Sequence, residues 1–220
     1  MTEGNVRRDR RCGTDRTGVP VVMKRNLDIL VSLVGLICLF PFLLLAAVLI
    51  KLDSRGPIFF RQERIGMRFR PFQILKFRTM VQNSIAGGQS ITVGDDPRIT
   101  RVGWLLRKTK IDELPQLINV LRGEMTFVGP RPEVPQYVEL FRQDYEEILK
   151  VRPGITDLAS IKYRDEAALL GQSENPEEEY VTRVLPDKIN LGKEYIRRSS
   201  VLFDLTLMFK TFLRLFDRLL

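Results

Sequence analysis

The chain of 220 residues carries 35 Lys and Arg against 27 Asp and Glu, giving a net charge of +8, and contains no histidine. That length admits one domain with a real core or a small domain plus a membrane element, and the charge suits polyanions: nucleic acid, anionic lipid or phosphorylated substrates. The lack of histidine excludes imidazole as base or metal ligand, leaving catalysis to carboxylates, Lys, Arg, Tyr or hydroxyls. The two cysteines, Cys12 and Cys38, lack zinc or redox spacing, so a disulfide framework is not expected and a reducing cytoplasmic setting fits.

Residues 1–22 are rich in Arg, Gly, Thr and Asp without apolar periodicity, which predicts a disordered basic extension. From Ile29 to Ile50 there is a run of 22 uncharged residues, roughly 33 Å as a helix and enough to cross hydrocarbon. Its length and the lack of a small-x-small site after it argue against a cleaved signal. Pro41 falls inside the run, where it removes a backbone hydrogen bond. Both flanks are basic, with Arg7, Arg8, Arg10, Arg11, Arg16, Lys24 and Arg25 before and Lys51, Arg55, Arg61, Arg64, Arg68 and Arg70 after. Basic flanks prefer the cytoplasmic side. A helix–break–helix over residues 23–52 that enters and leaves one leaflet satisfies both; a kinked single span stays open beside it. Asp28, just inside the run, needs partners in lipid, for which Lys24 and Arg25 are at hand.

After Gly56-Pro57 the pattern shifts to short β pieces, Ile58–Arg61 and Phe72–Phe77, expected to pair as a hairpin. Lys76 and Arg78 alternate with apolar residues and should share one face, where they could hold phosphate or simply be solvated. Residues 82–97 are turn-rich and read as a mobile loop near a pocket. A helical pattern begins at Ile99 (Val102, Leu105, Leu106). In the next helix Leu114, Leu117, Ile118 and Leu121 form an apolar stripe, with Asp112 as its N-cap and Pro115 in its first turn. Capping and dipole compensation alone account for an Asp112-Glu113 pair there. Gly129-Pro130-Arg131-Pro132 and Arg152-Pro153-Gly154 each present a stiffened arginine whose fork is open to phosphate oxygens. Residues 133–150 read as an amphipathic helix, 157–190 as polar with a solvated Glu177-Glu178-Glu179 run, and the C-terminus as an amphipathic helix for a core or for lipid headgroups.

Taken in order, Lys24-Arg25 with Asp28, the run broken by Pro41, Gly56-Pro57-Ile58, Gln62-Glu63-Arg64-Ile65-Gly66, Lys76-Phe77-Arg78-Thr79-Met80, Asp112-Glu113-Leu114-Pro115-Gln116, Gly129-Pro130-Arg131-Pro132 and Arg152-Pro153-Gly154-Ile155-Thr156 resemble the monotopic phosphoglycosyl transferases, the bacterial sugar transferase family that starts glycan assembly on a polyprenol phosphate. The resemblance covers residues 23–220. Each motif alone is weak; eight in order are specific.

The resemblance implies a helix-rich α+β fold: a re-entrant anchor with its break at Pro41, a small β-hairpin, and interfacial amphipathic helices around one cytoplasmic catalytic domain over 53–220, in a minimal form without a large N-terminal membrane domain. It implies transfer of a sugar phosphate from a nucleotide sugar, usually a UDP-sugar, to polyprenyl phosphate at the cytoplasmic face of the bacterial inner membrane. Asp112 would be the nucleophile and Glu113 would help hold Mg²⁺, with Lys76, Arg78, Arg107, Arg131 and Arg152 around phosphates. The implied partners are donor, acceptor and membrane lipid, with no nucleic acid and a homodimer left open.

The likeness departs in two places: Phe40-Pro41 stands where many members have Ser-Pro, and Asp157-Leu158-Ala159-Ser160 where many have Gly-Trp-Ala-Gln. A carboxylate nucleophile needs no base to activate it, which agrees with the absence of histidine. Two other classes compete: a basic membrane protein that only binds nucleic acid or anionic lipid, and a polytopic transferase, which the single long apolar run disfavours.

Overall fold

The computed structural model of the protein describes residues 21–81, 93–94 and 96–216, with side chains over 23–214 of these. Residues 1–20 of the basic extension and most of the turn-rich loop lie outside the described residues, while Val21 and Val22, also expected in that extension, open a helix.

The apolar run forms one helix, α1, Val21–Asp53. It continues through Pro41 as a single element, where the sequence suggested a helix, a break and a second helix. Proline removes one N–H and crowds one carbonyl, which a helix of 33 residues can absorb. Two stretches of α1 are buried against the rest of the protein. Near its start, Asp28 and Ser32 are covered; near its end, Ala46 and Ile50 pack with Phe77 and Leu106. Between and around them Ile37, Phe40 and Phe42 are 66, 62 and 63 % exposed. Apolar surface of this extent calls for a solvent other than water.

Strands β1, Phe59–Ile65, and β2, Pro71–Phe77, pair antiparallel with Phe59 opposite Phe77 and Ile65 opposite Pro71. This is the expected hairpin with a longer first strand. Its tight connection sets Arg68 and Phe69 at positive φ, 59° and 58°. The alternation along β2 buries Phe72 and Ile74 toward Val120 and Met125. Helix α2, Arg101–Thr109, begins at Thr100, whose hydroxyl accepts from the Gly103 N–H at 3.0 Å. It lies so close to the backbone after β2 that a Cβ on Gly103 would sit 2.1 Å from the Thr79 carbonyl oxygen.

Helix α3, Gln116–Arg122, follows and packs on α1, with Gly35 against Leu117. Asn119 ties α3 to β2, accepting from the Leu75 N–H at 3.0 Å and donating to the Gln73 carbonyl at 2.8 Å. Gly123, at φ 82°, ends the helix in the left-handed conformation that glycine tolerates.

A second sheet was not evident from the sequence. Strand β3, Thr126–Val128, pairs parallel with β4, Gly154–Thr156, in the register Thr126 to Gly154 and Val128 to Thr156. The two proline–arginine turns therefore lie side by side. A Cβ on Gly154 would meet the Gly129 nitrogen at 2.1 Å, so the pairing requires glycine there. The crossover holds α4, Pro135–Leu140, and α5, Arg142–Ile148, where one continuous helix was expected; the chain breaks at Phe141.

The polar segment winds through α6, Leu158–Lys162, α7, Glu166–Leu170, and α8, Pro176–Glu179. A π-helical turn over Tyr180–Val184 leads into α9, Leu185–Arg198. The main core joins α4, α5 and α9 around Tyr137, Tyr145, Leu170, Tyr180, Val184 and Leu185. The last helix, α10, Val201–Phe216, buries Leu207 and exposes Leu202, Leu205, Phe209 and Phe212.

Candidate active site

Lys110, at φ 58°, turns the chain out of α2 into a single 3₁₀ turn over Ile111–Glu113. Asp112 was expected to cap the following helix. Instead α3 starts four residues later, after Pro115, and Asp112 makes no capping bond. Proline carries no N–H for a cap to bind and sets the chain's direction into the helix. The Asp112 carboxylate is thus buried, 7 % exposed, and its Oδ1 has no hydrogen-bond partner among the described residues. Capping no longer accounts for it.

Glu113 points into a cationic clamp. Lys76 Nζ, on β2, donates to its Oε1 at 2.9 Å, and the Arg131 guanidinium pairs with the same oxygen and reaches Oε2 at 3.3 Å. Arg131 is held in turn by its own N–H, which donates to Asp157 Oδ2 at 3.1 Å, and by its side chain donating to the Ile155 carbonyl at 3.3 Å. Asp157 caps α6 through the Ser160 N–H at 2.6 Å. Asp157 therefore supports the arginine's backbone while capping the next helix. Arg107, on the last turn of α2, donates from Nε to the Thr79 hydroxyl at 2.8 Å.

Electrostatics separate the two acids. Burial, and then the neighbouring Glu113 charge, push the Asp112 carboxyl above the ordinary aspartate range, against Lys76, Lys110 and Arg107. For Glu113, burial also works upward, but Arg131, Lys76 and Lys110 outweigh it and hold that carboxyl well below the usual range. Lys76 is lowered by burial, with Glu113 opposing. Burial likewise lowers Arg107, against the Asp112 and Asp96 charges. Adjacent carboxylates with pKa values driven apart are the pattern of a working pair.

Asp112, Glu113, Lys76, Arg107 and Arg131 thus belong to one neighbourhood. Two further arginines expected among phosphates are placed elsewhere. Arg78 is 6 % exposed and binds the end of α1. Its guanidinium donates to the carbonyls of Ile50 at 3.2 Å, Ser54 at 2.6 Å and Arg55 at 2.9 Å, closing the end of α1. Arg152 donates to the Gly123 carbonyl at 3.1 Å, at the opposite end of α3 from Asp112. There it joins Arg25, which donates to Val120 and Leu121 carbonyls at 2.5 and 2.9 Å. Cations at a helix C-terminus satisfy carbonyls that have no helical partner.

The donor set bears on the expected Mg²⁺. Among the described residues no group of three or more acidic or thiol side chains could hold a metal. Glu113 was expected to help hold the metal, but both its oxygens are engaged by cations, and the unpartnered carboxylate oxygen is the buried Oδ1 of Asp112. One carboxylate is compatible with Mg²⁺, which commonly takes its remaining ligands from substrate phosphates and water.

Residues 19–218 match the family described as bacterial sugar transferase. The exopolysaccharide production protein ExoY of Sinorhizobium fredii is 38 % identical over 205 residues, covering 86 % of this chain and 84 % of that protein. The Escherichia coli UDP-glucose:undecaprenyl-phosphate glucose-1-phosphate transferase is 39 % identical over 204 residues, 90 % of this chain but 41 % of that protein. An Aeromonas hydrophila UDP-N-acetylgalactosamine-undecaprenyl-phosphate N-acetylgalactosaminephosphotransferase is 40 % identical over 194 residues, 86 % of this chain and 42 % of that protein. The chain therefore spans less than half the length of the latter two relatives.

Proposed function

Because the chain belongs to the bacterial sugar transferase family, we propose that it is a phosphoglycosyl transferase that moves a sugar 1-phosphate from a UDP-sugar to polyprenyl phosphate. The Escherichia coli and Aeromonas hydrophila relatives are named for undecaprenyl phosphate and UDP-sugars. The product would open the membrane stage of a bacterial glycan, such as the exopolysaccharide for which the Sinorhizobium relative is named.

One observation carries the mechanism: a buried carboxylate with an unpartnered oxygen, Asp112, beside a second acid already neutralised by Lys76 and Arg131. Asp112 attacks the sugar-bearing phosphorus of the donor, the bond from that phosphorus to the bridging oxygen breaks, and UMP leaves with the electron pair. A phosphate oxygen of the polyprenyl acceptor then attacks the aspartyl-phosphosugar and returns Asp112 as carboxylate. Two displacements let the nucleotide depart before the bulky acceptor arrives. Lys76, Arg107 and Arg131 neutralise charge on the phosphoryl oxygens, and Glu113 fixes two of these cations where they are needed. The acid pair and the donor's phosphates would hold Mg²⁺, which would supply Lewis-acid neutralisation of the diphosphate. Arg78 and Arg152 act on helix ends rather than on substrate in this account.

The same reading places the protein at the cytoplasmic face of the inner membrane, with α1 entering and leaving one leaflet. It is supported by the attachments of α1 to one body of protein: through Lys24, Arg25 and Asp28 at its start and through Ile50, Asp53 and Ser54 at its end.

The test is to incubate purified protein with a UDP-sugar panel and Mg²⁺, omitting the acceptor, and weigh the intact chain. The expected result is a mass increase of one sugar phosphate, with UMP released; Asp112→Asn should show neither, and its turnover with acceptor should fall by at least about 10³-fold. Full turnover by that variant would refute the covalent route.

A further inference from the structure

Gln116, at the start of α3, is 0 % exposed, and neither its amide nitrogen nor its amide oxygen has a hydrogen-bond partner among the described residues. A buried, unpaired amide is a standing cost to the fold. The mechanism above makes no use of it.

Its place follows from the local hydrogen bonds. From Ile111 to Ile118 the chain winds with bonds to the third residue back: the Leu114 N–H donates to the Ile111 carbonyl at 3.1 Å, Leu117 to Leu114 and Ile118 to Pro115, both at 3.0 Å. Residues three apart are eclipsed in such a winding, so Glu113 and Gln116 align, and Asn119, one turn further on, shares their face. Both of Gln116's neighbours on that face are attached to β2. Glu113 accepts from Lys76 at 2.9 Å, and Asn119 is bonded to Leu75 and Gln73. Gln116 therefore lies against the same strand, between those attachments and beside the clamp of Glu113, Lys76 and Arg131.

Sealed from the surface, the amide cannot touch substrate and acts only through a neighbour. Glu113 is the neighbour whose partners must change during the reaction. Its Oε1 accepts from both Lys76 and Arg131. A phosphate that takes those two donors strips Oε1 of both, a costlier loss for a half-buried charge than for a neutral amide.

We infer that Gln116 is a positioning residue whose amide N–H donates to Glu113 Oε1 when the donor's phosphates draw Lys76 and Arg131 onto themselves. The amide left unpaired in the free protein is paired in the loaded one, so donor binding relieves a cost built into the fold. The inference rests on the clamp receiving donor phosphate, as proposed above.

The experiment compares wild type with Gln116→Met, which keeps the length and removes the amide, and with Gln116→Leu. Thermal melts of the donor-free proteins in detergent are read beside UMP release at varied UDP-sugar and saturating polyprenyl phosphate. The variants should melt at least about 2 °C above wild type, as for removal of a buried unpaired group. Their donor KM should rise about ten- to a hundredfold while kcat stays within about threefold, the pattern of a contact made on binding and kept through the transition state. A lower melting midpoint, or no folded protein, in both variants overturns the inference, because it shows the amide to be satisfied in the free state. So does a donor KM within about twofold of wild type, or a loss confined to kcat; in each case wild-type turnover leaves the transferase reading standing. If wild type releases UMP from no donor, the transferase reading fails and the exchange at Glu113 falls with it.

Discussion

Asp112 and Glu113 are neighbours in sequence but opposites in stability. A carboxyl whose folded pKa is raised binds its proton more tightly in the native state, so the fold loses stability as pH climbs from the unfolded pKa through the folded one. At neutral pH Asp112 is therefore a cost, set first by burial and then by Glu113. Glu113, held low by Arg131, Lys76 and Lys110 against its own burial, has the reverse sign: its contribution is present above the unfolded pKa and is lost as pH falls through the folded one. In metal-free buffer at pH 7, Asp112→Asn should melt at or above the wild-type temperature while being inactive. Glu113→Gln should be destabilised by about 2 kcal/mol, because it leaves half-buried Lys76 and Arg131 without their counter-charge. Denaturant titrations of both variants decide this, and a destabilised Asp112→Asn would contradict the electrostatic account. Loss of stability at a residue that the fold does not need is a mark of function.

At the scale of elements, Arg78 shows how a motif residue can serve the scaffold that carries the site. Its planar fork spans three carbonyls from Ile50 to Arg55 and the Ser54 hydroxyl at 2.9 Å, all at the end of α1. A lysine keeps the charge but cannot span them. Arg78→Lys should cost about 2 kcal/mol in a denaturant titration, and its donor KM should stay within about twofold of wild type; a large donor KM effect would return Arg78 to the phosphate site. The sequence shows why this was hidden: alternation places Lys76 and Arg78 on one face, but two residues along a strand are about 7 Å apart, enough for one to reach Glu113 and the other α1. The hairpin, the amphipathic α10 and the acid pair were legible, because periodicity and local chemistry encode them. The parallel pairing of β3 with β4 was not, since each strand has three residues and their partnership is set across α4 and α5. Its trace in sequence was Gly129 and Gly154, each beside a proline–arginine pair. The capping role expected for Asp112 failed because the apolar stripe at Leu114 does not reveal that Pro115 delays the helix to Gln116.

For the molecule as a whole, the proposed placement at one membrane face must accommodate a helix of 33 residues, about 50 Å if straight. A straight span would carry one end across the bilayer. Here the start is tied by Lys24 to the Val128 carbonyl, the Tyr195 hydroxyl and Asp204, at 3.0, 3.0 and 2.7 Å, joining β3, α9 and α10. Asp28, which needed a partner in lipid, accepts from the Thr126 hydroxyl at 2.7 Å. The other end is tied by Arg78 and by Asp53, which accepts from the Val102 N–H at 3.1 Å. In the one-leaflet placement proposed above both sets of contacts persist, whereas sending either end to the far leaflet would break one of them or draw charged groups into hydrocarbon. Single cysteines at Asn26 and Leu52, in a Cys12→Ser, Cys38→Ser background, should both resist an impermeant maleimide in sealed cells and both react once the inner membrane is opened. Reaction of either one from outside would establish a spanning helix, and would require the contacts at that end to open in the membrane.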